Sequence, residues 1–130
     1  MRLSYRALLC TLAVAATSFS VSAAEPSAAA KQEVDQLLTR LAASGCTFQR
    51  NGTWHSAVDA RSHLQKKYEY LLDKKRVGVA EDFIALGASK SSTSGTAYQV
   101  KCGVQDPVPS AAWMTAQLKE VRPQAAPKNK

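Results

Sequence analysis

Apolar residues repeat at helical spacing in the segment 31–44. They occupy positions i, i+3, i+4 and i+7, and they are Val34, Leu37, Leu38 and Leu41. On a helix these positions form one apolar stripe, and Gly45 supplies a common C-terminal stop just beyond them. The pattern therefore predicts a helix that packs through this stripe.

The pattern changes to alternation immediately after this helix. Residues 46–50 alternate between apolar and polar side chains, Asn51-Gly52 follows, and residues 53–55 read as a second short strand. Asn-Gly between two such segments is the strongest short-range signal for a β-hairpin. We therefore predict a hairpin in this part of the chain.

Helical spacing returns after the hairpin. Ser56, with Asp59 three residues later, can cap a second helix. Its apolar positions are Leu64, Tyr68, Leu71 and Leu72. The basic residues 74–76 follow, and they suit the negative C-terminal end of a helix.

A short third helix and a polar loop are predicted next. Residues 80–86 predict a helix that buries Phe83 and Ile84, with two acidic residues in its first turn. Residues 89–95 contain no apolar side chain, so we predict a loop or a sheet edge there.

The remaining pattern predicts a third strand and a last helix. Residues 96–102 alternate again, with Tyr98, Val100 and Cys102 on one face. Pro107 and Pro109 mark a connection, after which Ser110 is expected to cap a helix. The apolar positions of that helix are Trp113, Met114, Leu118 and Val121. The fold class predicted is α+β, a small antiparallel sheet made of the hairpin and a third strand, packed with about four helices.

Both ends of the chain differ from the middle. Residues 1–24 carry Arg2 and Arg6, then an apolar run of about ten residues, then small residues, which is the order of a cleavable export signal. The run is too short to span a membrane, for which about 20 residues are needed. We predict a periplasmic protein with a flexible lead-in at 25–30, one domain at 31–122 and a disordered tail at 123–130.

Removal of the signal changes the charge and the cysteine count. The 17 basic residues become 15 against 10 acidic ones, a net charge of +5, and Cys10 leaves with the signal. An even pair of cysteines in an oxidising compartment favours a disulfide between Cys46 and Cys102. A metal pair or a redox couple would normally use a closer C-x-x-C spacing.

Several short motifs resemble a family of small exported bacterial proteins, a domain of unknown function. The motifs are residues 44–52, His63-Leu64 with Lys67-Tyr68, residues 81–84, residues 88–95 with Tyr98, and Trp113. The resemblance extends over nearly the whole domain and implies a periplasmic location. It implies no catalytic residue.

An anion-binding site is the main functional prediction. A Ser- and Gly-rich loop can present hydroxyl and N–H donors, and nearby basic side chains add the charge-assisted hydrogen bonds that carboxylates and phosphates accept. His63 and Lys67 are four residues apart and share a helix face with Asp59. The predicted binding residues are Arg50, His63, Lys67, Ser91, Ser92, Ser94 and Tyr98.

Two kinds of catalytic or metal chemistry are the alternatives. An envelope-associated hydrolase would use Ser92 or Ser94 as nucleophile and His63 as base, oriented by Asp59, although no G-x-S-x-G or S-x-x-K pattern is present. A metal site would use His55, Asp59 and His63. Against the anion site stands the simpler interpretation that Asp59, His63 and Lys67 form a solvated stripe and that the loop is a linker.

A basic helix face suggests the class of partner. Lys66, Lys67, Lys74, Lys75 and Arg76 lie on or just beyond the second helix, with Tyr68 and Tyr70 between them. In the periplasm such a surface meets envelope polyanions rather than nucleic acid. Trp54 and Trp113 could stack on sugars or fill the core. We predict a non-enzymatic binding domain without a cofactor, whose partner is an anionic envelope component or a protein.

Overall fold

A computed structural model of the chain describes residues 25–122. The predicted export signal and C-terminal tail therefore lie outside the described residues. The order of elements is helix, hairpin, two helices, two strands and a final helix. None of the helices between residues 25 and 122 is long and apolar enough to cross a membrane.

Helix α1 spans Ala28–Ala43 and begins three residues earlier than the apolar stripe predicts. The Ser27 hydroxyl caps it by accepting from the backbone N–H of Ala30 at 3.1 Å. Three alanines carry the first turn, and alanine is the best helix former. The predicted lead-in at 25–30 is thus helical in its second half. The predicted stripe is buried, and Gly45 follows the helix with a φ of +68°.

The hairpin is formed by strands β1, Thr47–Arg50, and β2, Thr53–Ser56. Asn51 and Gly52 have φ values of 50° and 79°, which is the left-handed geometry that a two-residue hairpin turn requires. The third strand, β3, is shorter than predicted and spans Gln99–Lys101. The hairpin prediction is confirmed.

A fourth strand was not predicted from the sequence. Strand β4, Val108–Pro109, pairs with β3, and the sheet order is β2-β1-β3-β4 with all neighbours antiparallel. β4 is only two residues long and lies at the edge of the sheet, where a proline without an N–H is tolerated. A two-residue strand carries too little alternation to be recognised from its sequence.

Three more helices follow the hairpin. They are α2, Ala57–Asp73, α3, Ala80–Gly87, and α4, Ser110–Val121. Ser56 caps α2 through the N–H of Asp59 at 3.1 Å, as predicted. The prediction that Ser110 caps α4 is wrong. Pro109 is the capping residue, and Ser110 is the first helical residue, fully buried, with no partner for its hydroxyl among the described residues.

The core lies where the four helices pack against the sheet. Its largest fully buried side chains include Phe48 and Val100 of the sheet, Leu37 of α1, Leu64 of α2 and Phe83 of α3. The disulfide between Cys46 and Cys102 is confirmed. Because Thr47 pairs with Lys101, the two cysteines stand opposite each other at the ends of β1 and β3.

Candidate functional site

Two strands present site residues on the same face of the sheet. Phe48 pairs with Val100 across β1 and β3, and both are buried. Side chains two positions apart on a strand lie on the same face of the sheet. Arg50 therefore shares a face with Phe48, and Tyr98 shares a face with Val100. The rings of Phe48 and Tyr98 confirm this arrangement with a centroid separation of 5.0 Å.

Helix α2 supplies the facing side chains. Arg50 Nη1 lies 2.8 Å from His63 Nδ1, and His63 Nε2 lies 3.2 Å from the hydroxyl of Tyr98. Lys67 Nζ donates to that hydroxyl at 3.1 Å and to the carbonyl oxygen of Lys90 at 2.9 Å. Four of the seven predicted binding residues therefore form one continuous hydrogen-bonded chain.

The direction of these hydrogen bonds follows from what each group can do. Arg50 can only donate, so the closer nitrogen of His63, Nδ1, accepts. A neutral imidazole that accepts at Nδ1 carries its proton on Nε2 and donates it to Tyr98. Lys67 also donates to Tyr98, so the tyrosine oxygen accepts twice. The proton of the Tyr98 hydroxyl is left to donate elsewhere.

The electrostatics of the site agree with a neutral histidine. Burial, followed by the charges of Arg50 and Lys67, lowers the pKa of His63 to about 4. Burial also lowers the pKa of Lys67, and Arg50 adds to that effect. Burial raises the pKa of Tyr98, against the opposing effect of Arg50. Near neutral pH the site holds two cations, a neutral imidazole and a protonated phenol.

The serine-rich loop packs over these hydrogen-bonded side chains and against the hairpin turn. The buried Ser91 hydroxyl accepts from the N–H of Ser94 at 3.3 Å and shares a hydrogen bond with the Thr93 hydroxyl at 3.1 Å. The Ser94 hydroxyl donates to Asn51 Oδ1 at 2.6 Å. Ser91 and Ser94 thus shape the loop, whereas Ser92 remains exposed.

Two adjoining clefts open at this place. The polar cleft has a volume of about 370 Å³ and is lined by Arg50, Asn51, His63, Lys67, Ser91, Ser92, Thr93 and Tyr98. The apolar cleft has a volume of about 480 Å³ and is lined by His63, Lys66, Lys67, Tyr70, Leu71, Arg76, Leu86 and Ser92. Neither lining contains an acidic residue. All seven predicted binding residues except Ser94 line the polar cleft.

Asn51 and Thr93 are site residues that the sequence prediction did not include. Asn51 was assigned only to the hairpin turn, yet its side chain holds the loop through Ser94. Thr93 lies inside the polar segment that was predicted, between two serines that were named. The hydroxyl pattern of the loop was the available signal for it.

Among residues 25–122, no hydrogen bond joins His63 to Ser92 or Ser94, although Ser92 lines both clefts together with His63. The Ser94 hydroxyl donates to Asn51, and both nitrogens of His63 contact Arg50 or Tyr98. Across residues 25–122, no three His, Cys, Asp or Glu side chains come close enough to hold a metal ion, His55 and Asp59 included.

The predicted basic face is divided by the fold. Lys66, Lys67 and Arg76 line the apolar cleft, whereas Lys75 pairs with Glu25. Lys74 Nζ lies 5.7 Å from the centroid of the Tyr70 ring. Tyr68 is buried against Phe83 rather than exposed between the lysines. Lys66, Lys67 and Arg76 therefore lie beside the predicted anion site, whereas Lys75 lines a separate cavity with Glu25.

The two tryptophans lie away from both clefts. Trp54 is 40% exposed on β2, and Trp113 packs partly buried against the core from α4. Neither residue is among those lining the polar or the apolar cleft.

Fold and site together define a small disulfide-linked α+β domain with a cationic cleft between one helix, a sheet and a serine-rich loop. The chain belongs to a family described as a family of unknown function, DUF5329, whose profile matches residues 28–122. No curated protein and no solved structure showed a significant match.

Proposed function

We propose that this protein is an exported, non-enzymatic binding domain that holds an anionic component of the cell envelope in the polar cleft. The observation that carries the proposal is the convergence of two cations in a cleft whose lining contains no carboxylate to balance their charge. Arg50, Lys67 and the Tyr98 hydroxyl all reach the cleft, and no carboxylate lines it.

The surplus of donors supports a ligand that accepts hydrogen bonds. A guanidinium has five N–H donors, and the Nη1 of Arg50 directs its contact to His63. Lys67 uses two of its three N–H donors in hydrogen bonds to Lys90 and Tyr98. The proton of Tyr98 and the hydroxyl of Ser92 add two more donors. A carboxylate or phosphate group accepts such bonds at all of its oxygens.

The side chains of Arg50 and Lys67 are already held in position, and this favours a role in ligand binding over a purely structural role. His63 and Tyr98 fix Arg50 and Lys67 in place by hydrogen bonds, so little side-chain freedom is lost when a ligand arrives. Burial is the main cause that lowers the pKa of Lys67, and repulsion by the charge of Arg50 lowers it further. An anion between them would relieve that repulsion.

The envelope is the proposed location for two reasons. The first 24 residues have the order of an export signal, and the domain contains a disulfide of the kind that oxidising compartments maintain. Phosphate and carboxylate groups are abundant on envelope lipids and polymers, and a net charge of +5 would attract them.

The test compares Arg50→Ala with Arg40→Ala, which removes an arginine that pairs with Glu120 on another face. Titration of the isotope-labelled protein with inorganic phosphate and with acetate is followed by NMR. We expect saturable shifts at residues 50–52 and 91–98 in the wild type and in Arg40→Ala. Loss of charge-assisted hydrogen bonds should weaken binding in Arg50→Ala by about 10-fold or more. Absence of saturable binding, or equal binding by both variants, would refute the proposal.

A further inference from the structure

We propose that the ligand is a phosphate monoester that carries a single apolar chain, with the phosphate in the polar cleft and the chain in the apolar cleft. This inference rests on the proposed function and deepens it, because it names the class of ligand.

The two clefts form one groove. They share three lining residues, His63, Lys67 and Ser92, so a ligand that reaches Lys67 from one side meets the other cleft directly. Lys67 Nζ lies at this junction, held by the Tyr98 hydroxyl and the Lys90 carbonyl. A molecule with two different ends fits such a site better than a small symmetrical anion.

The residues that line the apolar cleft differ from those that line the polar cleft. Tyr70 and Leu71 of α2 and Leu86 of α3 line the apolar cleft alone, whereas Asn51, Ser91 and Thr93 line the polar cleft alone. Tyr70 is 59% exposed and Leu86 is 39% exposed, so both have apolar surface that a ligand could cover. Covering such surface is favourable in proportion to its area.

Basic side chains lie beside the apolar residues of this cleft, and they favour a negatively charged amphiphile over a neutral one. Lys66 and Arg76 line the apolar cleft, and no acidic side chain lines either cleft. Long basic side chains of this kind lay their methylene stems along apolar surface and keep their charge at its border. With Arg50 and Lys67 they place four positive charges around one groove. A phosphate monoester, which carries nearly two negative charges at neutral pH, complements them better than one carboxylate.

The size of the apolar cleft suits one chain of moderate length. Its volume of about 480 Å³ equals roughly 16 water molecules. The cleft therefore has room for a single short chain with water beside it.

The experiment measures dissociation constants for methyl, butyl and hexyl phosphate by calorimetry with the disulfide-intact protein. A fully buried methylene contributes about fourfold to affinity, and a half-buried one about twofold. We therefore expect hexyl phosphate to bind about 30-fold more tightly than methyl phosphate. Hexanoate and hexan-1-ol should each bind more weakly than hexyl phosphate. A result in which hexanoate equals hexyl phosphate would overturn the choice of phosphate, and equal binding by hexan-1-ol would overturn the charged head group.

Two variants test whether the alkyl chain of the ligand binds in the apolar cleft. Leu86→Ala should reduce the gain from methyl to hexyl phosphate and leave the affinity for methyl phosphate unchanged. Val58→Ala is the matched control, because Val58 is 61% exposed on α2 and does not line the groove. If methyl phosphate binds but chain length has no effect, this inference fails and the proposed function stands. If neither methyl nor hexyl phosphate binds but acetate does, this inference again fails alone. If neither these esters nor inorganic phosphate nor acetate binds, both fail.

Discussion

Acid should destabilise this protein through His63, and the His63→Gln variant isolates the effect. The folded protein holds the pKa of His63 at about 4, mainly because of burial and then because of Arg50 and Lys67. In the unfolded chain a histidine has its ordinary pKa of about 6.5. The unfolded chain therefore binds a proton at a higher pH than the folded protein does. The contribution of neutral His63 to the free energy of unfolding is therefore complete above about pH 6.5, and it is lost as the pH falls toward about 4.

The magnitude follows from the difference between the two pKa values. For a fully enclosed group it would correspond to about 3 kcal/mol. His63 is only half-buried, and solvent screens its interactions with the two cations, so we expect about 1 to 2 kcal/mol. Below about pH 4 both states are protonated at this residue, and its contribution to the pH dependence ends.

Urea unfolding between about pH 7 and pH 4, followed by tryptophan fluorescence, measures the effect. Glutamine keeps an acceptor for Arg50 but cannot be protonated. The loss of unfolding free energy between the two pH values should be smaller in His63→Gln than in the wild type by about 1 to 2 kcal/mol. A constant offset from the substitution itself cancels in this comparison. His55→Gln, at a residue outside both clefts, controls for loss of an imidazole. Identical pH profiles for the wild type and His63→Gln would refute the hydrogen-bonding scheme of the site.

Two further variants test the framework around the site. Replacing Cys46 and Cys102 by alanine removes a covalent link between residues 56 positions apart. The free energy of unfolding in urea titrations should fall by about 4 kcal/mol. A loss below about 1 kcal/mol would show that the disulfide constrains the unfolded chain little. Ser110→Ala removes a buried hydroxyl that has no partner in the described part of the chain and should raise the melting temperature, since an unsatisfied group costs about 1 to 3 kcal/mol. A lower melting temperature for Ser110→Ala would mean that the hydroxyl does have a partner.

The elements that the sequence predicts correctly are those encoded by neighbouring residues. Val34 and Leu41 belong to a stripe that only a helix can bury on one side, and Asn51-Gly52 has the backbone freedom that a tight hairpin turn needs. The start of α1 escaped prediction because its first turn is made of alanines, which add no stripe. Ser110 was misassigned because Pro109 occupies the capping position with a φ that suits it.

The site was predictable only in part, for a different reason. The shared helix face of His63 and Lys67 follows from their spacing of four residues. Their meeting with Arg50 and Tyr98 depends on the pairing of β1 with β3, which joins residues some 50 positions apart in the chain. No local pattern encodes that pairing. Nor does the sequence show that the Ser91 hydroxyl accepts from the N–H of Ser94 or that the Ser94 hydroxyl donates to Asn51.

The disulfide connects the stability of the domain with the geometry of the cleft. Cys46 and Cys102 flank the paired residues Thr47 and Lys101, so the bond fixes which residues of β1 and β3 stand opposite each other. A slip of one position would turn every side chain of one strand to the other face. Arg50, at the far end of β1, would then leave the face that contacts His63. The covalent link at one end of the sheet therefore maintains the alignment of donors at the other end.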